Sequence, residues 1–273
     1  MGRVSLPTAD VVVVSFNCLA MLRGILAQLA GVEGEGVTMT LVDNGSHDGC
    51  RELGQAWAAD GEQRRFIANA ENRGFAPAAN QGARDGQGEV IVSVNPDVLL
   101  PEAWLAGVLG AFAAPTVGIA GPRLVQDGGH EYPLIDQMWG NGACLAIRRT
   151  CWQEIGGWDE RFFCGWDDMD LVRRAYAEGW QIAGVPWVRV THLGQQCPRD
   201  EEWRGRYDPA SKAWYDEKWS RTVLRYLGDK TAYLIGVPAR DLTMTDLVNI
   251  RRETGMGRRD LAASRLYEPI GGD

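Results

Sequence analysis

Three acidic side chains fall within four positions in Gly165-Trp-Asp-Asp-Met-Asp170, just ahead of a predicted helix over Leu171–Glu178. Helix N-termini favour Asp through unpaired N–H groups and the helix dipole, so capping accounts for at least one of the three. Three crowded carboxylates beside Trp158, Phe162, Phe163 and Trp166 are more than a cap needs. Crowding and desolvation raise the pKa of one of them, which suits it to take a proton from a hydroxyl. Asp168 is the expected base, with Asp167 beside it.

Asn95-Pro-Asp97 closes the apolar run Val90–Val94. Asn-Pro favours a turn, but a carboxylate there is also a hard ligand for Mg2+ or Mn2+, which draws its other ligands from phosphates and water. Asp43 ends the run Met39–Asp43 and precedes Asn44-Gly-Ser-His-Asp-Gly49. Asn44-Gly45 reads as a turn, and Ser46 or Asp48 as the cap of the next helix. That leaves Asp43 to accept hydrogen bonds from a nucleobase or ribose. His192 follows the apolar stretch Ile182–Val190; on its residues alone it reads more readily as a core histidine than as a ligand. His47 and His130 sit in turn-like contexts and are expected at the surface.

Such groups need a scaffold that gathers strand ends. Asp10–Asn17 is a β-branched run typical of a strand buried on both faces. Leu22, Ile25, Leu26 and Leu29 follow at helical spacing, and Met39–Asp43 is the next strand. Strand, helix and strand make a βαβ unit. The rhythm continues through Arg65–Ala68, a small-residue helix near Ala76–Arg84, Glu89–Asn95 and a helix starting near Pro101. It fades after Val117–Ala120, where Gly and aromatic residues become dense. Ligands of open parallel sheets bind at the carboxyl ends of the strands, and those ends here are polar: Ser15, Phe16 and Asn17; Asp43 and Asn44; Asn69; Asn95 and Asp97.

The expected organisation is a catalytic domain over 1–198, with a nucleotide-binding half over about 1–100 and an acceptor half over about 101–198, then a helical extension over 199–273. Ala210–Tyr226, Leu242–Glu253 and Arg258–Leu266 are the predicted helices of that extension, a candidate lid, acceptor surface or homodimer contact. The eleven tryptophans are many for 273 residues. Most belong to the core, but Trp139 and Trp166 flank Gly- and Asp-rich loops where an indole can stack on a sugar.

The chain's 45% hydrophobic and 23% charged residues exclude disorder and collagen-like repeats. No window reaches the roughly 18 apolar residues of a membrane span, and the N-terminus lacks the apolar core of a secretory signal, so a cytoplasmic protein is expected. The six cysteines form no CxxC pair, against a disulfide framework or zinc ribbon. A net charge of −8 argues against non-specific binding to nucleic acid or anionic membrane by the protein as a whole. The acidic excess lies before Arg199; the near-balanced tail leaves peripheral membrane contact and polyanionic acceptors open.

Taken in order, VVVVSFN, LVDNGSHDG, NRGFAPAANQGA, VNPDV, GACLAIRR, GGWDERFFCGWDDMDL and VTHLG resemble the family 2 glycosyltransferases of the GT-A fold, especially their rhamnosyltransferase-like branch, from about Asp10 to Gly194. The resemblance implies an α/β fold with a mixed, mainly parallel sheet flanked by helices. It also implies a UDP-, dTDP- or GDP-linked sugar donor, Mn2+ or Mg2+, and inverting transfer to a hydroxyl. Carried over, it implies that Ser15, Phe16, Asn17 and Asp43 hold the nucleoside, with Asn72, Arg73, Gly74, Asn80 and Asn95 near the donor. It makes Asp97 the metal ligand, Asp167-Asp168 the counterpart of the family's Glu-Asp pair, and His192 a group beside the metal or diphosphate. Trp139, Asn141 and Trp166 are the candidate acceptor contacts.

The acceptor class stays open among glycan, lipid-linked glycan, natural product, protein and modified nucleobase. A sugar nucleotidyltransferase would need a glycine- and basic-rich loop after the first strand, and Ser15-Phe-Asn-Cys-Leu-Ala-Met-Leu-Arg-Gly24 is not one. A non-catalytic nucleotide-sugar binder would keep Asp43 and Asp97 but tolerate loss of Asp168, and the intact acidic cluster argues against it.

Overall fold

The computed structural model describes residues 6–32, 34, 36–136, 140–194 and 209–219. Eight strands form one sheet: β1 (Ala9–Ser15), β2 (Val37–Asp43), β3 (Arg64–Ala68), β4 (Val90–Val94), β5 (Val98–Leu99), β6 (Val117–Gln126), β7 (Cys144–Arg148) and β8 (Gln181–His192). Their order is β3-β2-β1-β4-β7-β6-β8-β5. The pairs from β3 to β4 and the pair β6–β8 are parallel; β7 runs antiparallel between β4 and β6, and β5 antiparallel to β8.

Among the described residues, six helices flank the sheet: α1 (Leu19–Leu29), α2 (Cys50–Ala59), α3 (Phe75–Asp85), α4 (Trp104–Leu109), α5 (Arg149–Ile155) and α6 (Asp167–Ala177). Alternation along the strands divides the core between them. Val11, Val13, Val90, Val92 and Val94 pack with Leu22, Ile25, Leu29 and Val108 of α1 and α4. Val12 and Ile91 face the other side and pack with Ala79, Trp152, Leu171 and Ala175 of α3, α5 and α6. β1 is therefore buried on both faces, as its unbroken β-branched run requires.

The architecture is the GT-A α/β fold, with one sheet continuous through both halves of the expected catalytic domain. α6 begins at Asp167 rather than after Asp170, so the acids lie inside its first turn, not ahead of it. Acidic side chains in a first turn favour the positive end of the helix dipole, which compensates the modest helix propensity of Asp, and Asp168 also accepts from the Met169 N–H there. Helix α4 likewise begins at Trp104, later than Pro101 suggests. A seventh helix, α7, spans 209–219. The predicted helices Leu242–Glu253 and Arg258–Leu266 lie outside the described residues. No helix among the described residues is long and apolar enough to cross a membrane. Among the described residues, Cys18, Cys50, Cys144, Cys151 and Cys164 are buried and form no disulfide.

Candidate active site

A cleft of about 640 Å³ opens where β1, β2 and β4 end. Phe16, Asn72, Asn95, Asp97, Asn141, Asp167, Asp168 and His192 line it together. Residues from six separate stretches of sequence thus reach one space.

Strand register brings the metal-type ligands together. Val98 of β5 pairs with His192 of β8, and the Leu193 N–H donates to the Asp97 carbonyl at 2.9 Å. Asp97, just before β5, therefore stands beside His192, with Nε2 and Oδ2 3.3 Å apart. Asp97 is buried and His192 half-buried. No group of three or more His, Cys, Asp and Glu side chains forms a metal cage among the described residues. One carboxylate and one imidazole on an open cleft nonetheless suit a hard cation, which keeps most of its shell for phosphate and water.

The same ladder carries the opposite wall. Val94 pairs with Cys144, and the Asn95 N–H donates to the Ala143 carbonyl at 2.9 Å, so β4 extends onto the segment before β7. From that segment the Gly142 N–H donates to Asp168 Oδ2 at 2.7 Å, and Oδ1 accepts from the Met169 N–H at 2.8 Å. Burial pushes the Asp168 carboxyl above its ordinary range, against the opposing effect of these hydrogen bonds. Asp167 is buried beside it. Asn141 is buried, and its Nδ2 has no hydrogen-bond partner. Gln126, Asp127 and Tyr132 complete the wall near His192, and the Gln126 amide donates to the Tyr132 hydroxyl at 2.9 Å. Nothing in their spacing announces this second group.

At the β1 and β2 ends, Ser15 pairs in register with Asp43. Both are buried, and Ser15 Oγ and Asp43 Oδ1 have no hydrogen-bond partner. The other oxygen, Oδ2, accepts from the Ser46 N–H at 3.3 Å and lies 3.4 Å from Arg51 Nε. Neither residue lines the cleft, although Phe16 and Asn44 next to them do. Asn17 takes a left-handed φ of 46°; its N–H donates to Ser46 Oγ at 3.0 Å, and its Oδ1 accepts from the His47 N–H at 2.8 Å. Asp48 accepts from the N–H groups of Leu19 and Cys50, serving α1 as well as α2.

The loop 72–74 hangs on Asn44, which the sequence marks only as a turn residue and a polar strand end. Asn44 Nδ2 donates to Asn72 Oδ1 at 2.9 Å and to the Gly74 carbonyl at 3.0 Å, while Asn44 Oδ1 accepts from Asn69 Nδ2 and the Arg73 N–H. Asn69 and Gln81 exchange two further amide hydrogen bonds. Polar strand ends, Asn44 and Asn69, were the available signal. Arg73 is exposed and Gly74 buried; a Cβ on Gly74 would lie 2.8 Å from the Phe163 carbonyl oxygen.

Asn80 points elsewhere. It donates to the Trp158 carbonyl at 2.8 Å and accepts from the Trp158 N–H at 3.0 Å, tying α3 to the segment that leads into α6. Trp166 packs its ring 5.1 Å from Tyr215 of α7 rather than lining the cleft. Trp139 lies outside the described residues.

The description "Glycosyl transferase family 2" fits residues 10–167 of the chain, and "Glycosyltransferase like family 2" fits 135–213. The chain belongs to glycosyl transferase family 2. It is a glycosyltransferase of the nucleotide-sugar type. Over 232 residues it is 26% identical to the N-acetylglucosaminyl-diphospho-decaprenol L-rhamnosyltransferase of Mycobacterium tuberculosis, covering 67% of this chain and 75% of the relative. It is 25% identical to the pre-mycofactocin glycosyltransferase of the same organism, covering 89% of this chain but 52% of that protein. Among solved structures, the Pyrobaculum calidifontis mannosyltransferase in complex with GDP-Man and Mn2+ superposes with a TM-score of 0.61 at 19% identity, covering 97% of this chain and 82% of that one. GalNAc-T7 with UDP, GalNAc and Mn2+ gives a TM-score of 0.57 at 17% identity, covering 93% of this chain and 55% of that one. These two likenesses bear on the fold.

Proposed function

We propose that this glycosyltransferase transfers a sugar with inversion from a nucleotide diphosphate to a hydroxyl, with Asp168 as the base. The observation that carries the reading is one cleft lined both by the Asp97–His192 pair and by a carboxylate with a raised pKa. The name of the mycobacterial relative puts an L-rhamnosyl group first among donors and a glycan or lipid-linked glycan hydroxyl first among acceptors.

Asp97 and His192 would hold a divalent cation, whose chemistry when bound is Lewis-acid stabilisation of the charge on the departing diphosphate. Ser15 Oγ and Asp43 Oδ1 are buried without partners just behind Phe16 and Asn44, which line the cleft; a small shift of these strand ends on donor binding would let them hydrogen-bond the nucleoside and remove the cost of leaving them unpaired. Phe16 would supply an apolar surface and Asn72 an amide, with Asn95 at the strand end and Asn17, Arg73 and Gly74 shaping the loops beside them; Asn80 would support the donor side only indirectly, through its hydrogen bonds to the Trp158 backbone.

Asp168 accepts the acceptor's hydroxyl proton while that oxygen forms its bond to the anomeric carbon and the bond to the nucleotide oxygen breaks. Both carboxylate oxygens keep a lone pair beyond the backbone hydrogen bonds they accept. Asp167 adds a second carboxylate at the helix N-terminus. Asn141, with its unpaired amide nitrogen on the cleft wall, is the candidate for orienting the acceptor, while Trp166, packed on Tyr215, would act on the acceptor only through the turn that carries Asp167.

The test is a panel of UDP-, GDP- and dTDP-sugars with Mn2+, Mg2+ or chelator, scored by thermal shift and release of free nucleotide. The reading expects a metal-dependent shift and slow release with one nucleotide class. No shift and no release with any donor would contradict it.

A further inference from the structure

Lys218 of α7 contacts two carboxylates that bracket the segment leading into the cleft. Its Nζ lies 2.7 Å from Asp159 Oδ2 and 2.6 Å from Asp170 Oδ1. Cys164, Gly165, Asp167 and Asp168, between these two acids, all line the cleft. Asp170 is wholly buried and also accepts from Trp219 Nε1 at 3.1 Å and Arg174 Nε at 2.7 Å. The Arg174 pair stays within α6, whereas the Lys218 pairs tie α6 to the loop before it.

The rest of α7 presses on the same segment. Lys212 Nζ sits 5.3 Å from the Trp166 ring, the Tyr215 ring 5.1 Å from Trp166, and the Arg161 guanidinium 4.1 Å from the Trp214 ring. Trp166, one residue before Asp167, holds a left-handed φ of 66°, a conformation that persists where the surroundings over-determine it.

We propose that Lys218 is a positioning residue for the transfer, pinning both ends of the 159–170 segment so that Asp168 stays seated on the Gly142 N–H. This rests on the reading of Asp168 as the base. The hydrogen bonds described for Asp168 come from backbone N–H groups, so its carboxylate can be no better placed than the helix turn and loop that carry it. Buried ion pairs return little net stability after desolvation, and their clearest attested use is to fix one arrangement among alternatives. A lysine with an acidic partner at each end of one segment is suited to that use.

The experiment compares Lys218→Met and Lys218→Arg with the unaltered full chain. Hydrogen exchange is read on peptides within 159–170 and within β1–β4, and kcat and KM of nucleotide release are read with whichever UDP-, GDP- or dTDP-sugar the unaltered chain turns over. Lys218→Met should speed exchange within 159–170 with β1–β4 unchanged, and should lower kcat about 10-fold or more while donor KM moves less than about 2-fold. Lys218→Arg should restore most of both. Unchanged exchange in Lys218→Met would overturn the proposal, as would kcat and KM shifting together with exchange raised across the whole chain. If Asp168→Asn released nucleotide normally, the base assignment would fall instead, while the exchange result would still decide whether Lys218 pins the segment.

Discussion

Asp168 and Gly142 are joined by a 2.7 Å hydrogen bond from backbone N–H to carboxylate, 26 residues apart in sequence. It seats the first turn of α6 on the turn before β7, where the Ala143 carbonyl accepts from Asn95 just past the end of β4. The base candidate and the Asp97–His192 pair are therefore linked through a chain of hydrogen bonds, from Asp168 to Gly142 and from Ala143 to Asn95, two residues before Asp97.

Close packing at this seam makes its glycines sensitive. A Cβ on Gly140 would lie 2.5 Å from the Asp168 carbonyl carbon, a contact that only backbone movement can relieve. Gly140→Ala should lower turnover by about 10-fold or more, since small displacements of a catalytic group are costly. Steady-state kinetics beside a donor-binding isotherm checks this: binding should persist while kcat falls.

Burial raises the Asp168 carboxyl, and the sign has two consequences. As a base it must be ionised, so turnover should fall on acidification at a higher pH than an ordinary carboxylate would give, and Asp168→Asn should abolish that limb of the profile. For stability, a raised folded-state pKa means that the folded chain binds the proton more tightly than the unfolded chain. The favourable contribution is full at low pH and is lost as pH rises through the raised value. At neutral pH the ionised Asp168 is thus a cost, so the stability lost between pH 4 and pH 7 should be smaller in Asp168→Asn than in the unaltered chain, as measured by calorimetry at the two pH values.

Asn44 is buried and holds the 72–74 loop through both ends of its amide. Asn44→Ala would leave several polar groups without partners, at about 1–3 kcal/mol for each one that stays buried. Lower thermal stability and weaker donor binding are expected together; thermal melts and donor titration check both.

Asp97→Ala should remove the metal dependence of donor binding while leaving the fold intact, because Asp97 sits at a strand end on an open cleft rather than in the core sheet. Thermal shift with Mn2+ and sugar nucleotide against chelator reads this directly. A full metal-dependent shift in the variant would exclude Asp97 as a ligand.

The strands were readable because apolar runs such as Val11–Val14 and Val90–Val94 meet a layer on each face, and both layers impose the same pattern. That Asp97 and His192 share one end of the sheet was accessible through the rule that parallel strands gather their ligands at one end; Asp168, in the first turn of a helix, is legible from its acidic cluster and from the family resemblance. The Asn44 network was not, since it depends on which amide meets which across two loops. Lys218 was equally hidden: its partners lie 59 and 48 positions away, and nothing in a lysine on a mixed-charge helix says that it is half-enclosed between two acids. Asn80 looked like a donor contact and instead copies a strand's hydrogen-bond pair onto Trp158.

The most direct measurement is nucleotide release by Asp168→Asn and the unaltered chain, run beside donor binding, with the sugar nucleotide and metal that give the largest thermal shift. The account expects Asp168→Asn to bind the donor with unchanged affinity and to release nucleotide about 10²-fold more slowly or worse. Equal release rates in the two proteins would contradict it.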